Sequence, residues 1–90
     1  MCTNITHSAA VAGSAQGGTG WFPISGVHVS YDHPFHVPLE HSLNLDFVNE
    51  GSGLGARVSV ELDRDSARLL AERILGVLRE AEAYESAPAG

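Results

Sequence analysis

Tyr31-Asp-His-Pro-Phe-His-Val-Pro-Leu-Glu-His-Ser42 gathers three of the chain's five histidines, His33, His36 and His41, beside two carboxylates, Asp32 and Glu40. Imidazole nitrogen ligates zinc, copper, nickel and iron, and three such nitrogens would hold a transition metal while leaving a position for a small-molecule substrate. Zinc is the first expectation. Glu40 adjoins His41, but strand alternation points its side chain away from the cluster, which suits a general base or a support for a ligating imidazole. The spacing is not that of His-Glu-x-x-His on a helix, and histidines at strand ends also serve as hydrogen-bonded edge residues. Phe35, between His33 and His36, would wall a small pocket beside them.

A second constellation needs no metal. His28 and Asp46 lie on strand-patterned segments, and a carboxylate beside an imidazole fixes its tautomer and makes it an oriented acid or base. Ser30 is poorly placed as a nucleophile, and no oxyanion-hole element accompanies it. The alternative reading of the same face is a solvated or dimer-facing surface, with Asp46 and Arg57 as a cross-strand ion pair. Cys2, if the initiator methionine is removed, offers an amine and a thiol together, but no electropositive setting is evident to activate it.

These residues need a scaffold, and the hydropathy pattern supplies one. Asn4 to Ala12 alternates weakly as a first strand, and Gly13 to Gly20 is a glycine-rich connection without the lysine or following helix of a phosphate-binding loop. Trp21 to His33 forms a second strand, with Pro23 and Gly26 marking an edge or a bulge in its first half. Pro34 and Pro38 stiffen the loop carrying His36. His41 to Val48 is a third strand, 49–53 a turn, and Ala56 to Leu62 a fourth strand. From an N-cap at Asp63 or Asp65 a helix runs to about Tyr84, its apolar stripe made by Ala67, Leu70, Ala71, Ile74, Val77, Leu78 and Ala81.

The predicted fold class is therefore α+β: a four-stranded antiparallel sheet followed by one C-terminal helix packed on its apolar face. Residues 1–85 form the single domain and 86–90 a flexible tail. Keeping apolar residues on one face sets His33 opposite His41, Tyr31 opposite Leu43 and Val29 opposite Leu45. The last hairpin is expected to set Leu45 opposite Val58 and His41 opposite Leu62, which puts His28, Asp46 and Arg57 in one polar row. One helix leaves much of a small sheet uncovered, so a homodimer is expected.

The chain resembles a family of short uncharacterised actinobacterial proteins. The resemblance rests on Met1-Cys-Thr3, Gly20-Trp-Phe-Pro23, Tyr31-Asp-His-Pro34 with His36, Pro38, Glu40-His41 and Asn44, and Arg57-Val-Ser-Val-Glu-Leu62. That family carries no established activity, so the resemblance implies no role for any residue.

Composition bounds the partners. Eleven acidic residues against five basic ones, all arginine, give a net charge of -6, and the arginines are interleaved with acids. A nucleic-acid partner is not expected, because a phosphate backbone demands a clustered cationic footprint. No segment reads as a membrane span or export signal. A single cysteine fits a reducing cytoplasm. The leading functional expectation is a small metal-binding protein or metal-dependent enzyme using His33, His36 and His41. The alternatives are a metal-free acid/base enzyme of isomerase, cyclase or dehydratase type, a small-molecule binder, or a non-catalytic dimeric interaction module.

Overall fold

The computed structural model describes residues 3–52 and 56–86. Cys2 and residues 87–90 lie outside them. Four strands, β1 (Ile5–Gly17), β2 (Gly20–Asp32), β3 (Ser42–Val48) and β4 (Arg57–Leu62), precede one helix, α1 (Arg64–Ser86). The sheet is antiparallel with neighbours in chain order, as hairpin-length connections require. The expected architecture is the observed one.

β1 is longer than its weak alternation suggests. It continues through most of the glycine-rich segment, and the reversal is confined to Gly18-Thr19, closed by Gly17 opposite Gly20. Gly20 has a φ of 119°, a conformation that side-chain-bearing residues rarely adopt. The bulge falls on β1, not β2: three steps from Ala10 to Gly13 match two from Gly26 to Ile24. β2 leaves β3 at Gly26, paired with Val48, so beyond that point β1 and β2 continue as a two-stranded ribbon. Asn49 holds its base by donating from Nδ2 to the Pro23 carbonyl at 2.8 Å.

Tyr31 pairs with Leu43 and Val29 with Leu45, as expected, whereas Leu45 pairs with Val60 and Leu43 with Leu62. The last hairpin is thus offset by two residues from expectation. An offset of two keeps every side chain on its face, so burial cannot select between the registers. The connection selects it: a 3-10 turn at Glu50–Ser52, with the Asn49 amide donating to the Ala56 carbonyl at 3.0 Å, uses more chain than a tight turn.

The sheet rolls. β1 and β4, first and last in the order, approach one another, and Thr6 of β1 lines the same hollow as Arg57 of β4. Thr6, Ser8, His28, Ser30, Asp46 and Ser59 share the polar, inner face. The other face carries Val27, Val29, Tyr31, Leu43, Leu45, Val58, Val60 and Leu62.

Asp63 caps α1, its Oδ1 accepting the Ser66 amide at 2.7 Å. That hydrogen bond holds the Asp63 carboxyl below its ordinary value. The helix touches the sheet chiefly near β3, and none of its residues is buried. Among the described residues only Ala56 and Ser42 are buried. No described helix is long and apolar enough to cross a membrane.

Candidate functional site

At the end of the apolar face Tyr31, His41 and His33 form a column of rings. His41 stacks on Tyr31 with centroids 5.5 Å apart and on His33 with centroids 5.1 Å apart. The side-by-side placing of His33 and His41 expected from the strand pattern is present. His33 Nδ1 lies 2.9 Å from the Glu40 carbonyl oxygen, so this nitrogen is an N–H donor. Glu40 enters through that backbone carbonyl.

His36 is drawn elsewhere, and Glu61 is the cause. The Glu61 carboxylate, on the inner face of β4, accepts the Phe35 amide at 2.5 Å and those of His36 and Val37 at 3.0 Å each. Hydrogen bonds from the Val37, Phe35 and His36 amides hold the Glu61 carboxyl below its ordinary value despite some desolvation. The loop is thereby folded toward the polar face, while His33 and His41 stack on the apolar one. Among the described residues no group of three or more His, Cys, Asp or Glu side chains is arranged to hold a metal ion. Phe35 is 98% exposed and projects from this loop, where it lines one hollow with His33 and Glu61 and a second with His36 and Val37.

The inner face holds a hollow of about 560 Å³ lined by Thr6, His28, Ser30, Asp46, Glu50 and Arg57, among others. His28 stands in its wall between two partners. Ser8 Oγ is 2.7 Å from Nδ1, and Glu50 Oε1 is 3.5 Å from Nε2. With Nε2–H facing the carboxylate, Nδ1 accepts the Ser8 hydroxyl proton. β1 and β2 set the first contact by pairing Ser8 with His28, and the 3-10 turn after β3 sets the second.

Asp46 lies directly opposite His28 on β3, as expected. Arg57 is not in that row; it pairs with Val48 at the start of β4. Its side chain reaches diagonally, placing Nη2 at 2.8 Å and Nε at 3.0 Å from Asp46 Oδ1, so the expected ion pair forms by another route. The Ser59 hydroxyl donates to the same oxygen at 2.5 Å. Burial pushes the Asp46 carboxyl up, but Ser59, Arg57 and nearby His28 together outweigh it and hold the carboxyl below its ordinary range.

Residues 1–87 match the sequence profile of a family of unknown function, DUF6295. The chain belongs to that family. No curated protein and no solved structure matches it. The DUF6295 profile spans both constellations, so membership does not choose between them.

Ser8 and Glu50 are the site residues that this DUF6295 chain's hydropathy pattern leaves unmarked, whereas alternation puts Glu61 on the polar face of β4 with Arg57 and Ser59. Ser8 was hidden by the bulge: extending the first hairpin at constant register from its turn sets Ala9 opposite His28, and the shift between Ala10 and Gly13 brings Ser8 there instead. Glu50 had no signal, and nothing marked Glu61 as the acceptor of the loop amides, since each acts through the shape of a loop.

Proposed function

We propose that the protein binds and transforms a small polar molecule in the inner-face hollow, with His28 as the acid/base group. The supporting observation is the setting of His28, held between the Ser8 hydroxyl and the Glu50 carboxylate at the edge of a cavity large enough for a small metabolite. Glu50 orients the ring, and Nδ1 takes the substrate proton once the Ser8 hydroxyl turns away from it. Arg57, the one permanent cation among the described lining residues, holds Asp46 through Nε and Nη2, which leaves Nη1 to meet an oxygen of the substrate. A proton taken by His28 from carbon beside a carbonyl and returned to another atom is isomerase, cyclase or dehydratase chemistry, requiring no redox partner. The working unit is taken to be a homodimer.

The test is solvent exchange. Incubated in deuterium oxide with a panel of small 2-oxo and 2-hydroxy acids, the protein is expected to speed deuterium incorporation into at least one of them, and His28→Gln to abolish it. Binding shifts that map away from His28, or exchange that survives His28→Gln, would overturn the reading.

A metal site at His33, His36 and His41, with zinc first, is the second reading. What favours it is the His33 ring, whose Nδ1–H donates to a backbone carbonyl as metal-ligating histidines characteristically do, with His41 beside it. It requires His36 to leave the side of Glu61. Zinc titration by calorimetry, comparing the wild type with the triple alanine variant, decides it: equal binding by the two rules this set of ligands out.

A further inference from the structure

The fold leaves an apolar surface open. The chain exposes 6990 Å², whereas a compact chain of 9.5 kDa exposes about 5,000 Å². The surplus exceeds the roughly 800 Å² per partner of a standard interface and is of the size found in obligate homodimers. The radius of gyration, 15.8 Å, is likewise larger than the roughly 12 Å of a compact chain this long.

Part of this open surface lies between α1 and the outer face of the sheet. A groove of about 500 Å³ runs there, walled by Tyr31, Leu43 and Leu45 from the sheet and by Arg68, Leu70 and Ile74 from the helix, with others. The stripe that meets the sheet does not account for all of the helix. Leu75, 56% exposed, lies on its flank. Through Leu75 runs a second row with alternating steps of four and three: Arg64, Arg68, Ala71, Leu75, Leu78, Glu82, Glu85. That is the spacing of a coiled-coil seam. Its ends are opposite in charge, basic at the N-terminal end and acidic at the C-terminal end.

We infer that a second copy of this chain covers the groove, its α1 packed antiparallel along the Arg64–Leu75–Glu85 row. The two-fold axis passes at Leu75. Leu75 then meets Leu75 of the second copy once, on the axis, while the Ala71–Leu78, Arg68–Glu82 and Arg64–Glu85 pairs each occur twice, as an isologous interface requires. A parallel pairing would set arginine on arginine and glutamate on glutamate, so the charge pattern selects the antiparallel one. Arg68 is available for the exchange: its one described ion pair, with Asp65 at 3.9 Å, is intrahelical and largely exposed. The inference rests on the homodimeric unit proposed above and assigns its surface.

Sedimentation of the 90-residue chain tests both. The wild type is expected at twice the 9.5-kDa chain mass. Arg68→Glu or Glu82→Arg alone should weaken the dimer about tenfold, since each turns two attractive pairs into repulsive ones. The double variant in one chain should restore it. The two positions are about 21 Å apart on one helix, so restoration has to come across the interface. In a Cys2→Ser background, oxidation with diamide should link Leu75→Cys chains and leave Leu69→Cys chains, on the far side of the helix, unlinked. A monomeric wild type overturns both the dimer and this surface. A dimer indifferent to the charge exchanges, or equal cross-linking at 69 and 75, overturns the surface alone.

Discussion

Ser8 and His28, twenty residues apart in the chain, meet at 2.7 Å across the first hairpin, Oγ against Nδ1. With the Glu50 carboxylate beside Nε2, a neutral ring carries its proton on Nε2 and takes the Ser8 hydroxyl proton at Nδ1 as a hydrogen bond. Nitrogen-15 spectra of the neutral ring are expected to report one dominant Nε2–H tautomer. Ser8→Ala should mix the tautomers, and an unchanged spectrum would remove Ser8 from the site.

Asp46 couples this site to stability. Its carboxyl titrates below the ordinary value of 3.8 when folded, so its contribution is fully present above that value and is lost as the pH falls through the folded pKa. Asp46→Ala should therefore cost about 1–2 kcal/mol at pH 7, discounted for the partly exposed Arg57 side chain. The difference should shrink toward zero near pH 2. Urea denaturation of both chains at the two pH values checks the size and the sign.

Glu61 is the clasp of the Phe35–Val37 segment, and its removal should be visible in the amides it accepts. Hydrogen exchange at Phe35, His36 and Val37 is expected to quicken by about tenfold or more in Glu61→Ala, with β3 unaffected. Acidification should do the same to the wild type. The folded carboxyl titrates below its ordinary 4.5, so the clasp holds above that value and opens as the pH falls through the lowered one. Protection that persists in the variant would mean that Pro34 and Pro38 alone shape the loop.

Asp63→Ala removes the acceptor for the Ser66 amide. The thermal midpoint should fall by a few degrees, with loss of helical signal from the first turn, and Asp63→Asn should recover most of it. Equal midpoints for the wild type and Asp63→Ala would place the cap elsewhere.

Much of this was legible in the sequence because burial has a period. Alternation assigned Val27, Val29, Tyr31, Leu43 and Leu45 to one face and His28, Ser30 and Asp46 to the other, and the three-four spacing from Ala67 to Ala81 gave the helix. The β3–β4 register was not legible, because a two-residue offset leaves both faces intact and moves only the polar rows, where Arg57 lies. The setting of His36 was not legible for a different reason. Proximity in sequence suggested that it would join His33 and His41, but the fate of a loop histidine depends on where its backbone amides find an acceptor. That acceptor, Glu61, is twenty-five residues away.

The ribbon formed by β1 and β2 beyond Gly26 governs how unfolding of this chain will look. Its single tryptophan, Trp21, sits on that ribbon beside the turn and is 70% exposed. Intrinsic fluorescence will therefore report the outermost, least supported part of the hairpin. A fluorescence transition that runs ahead of the circular-dichroism transition would be fraying of this arm, and only the latter would follow loss of the sheet and helix.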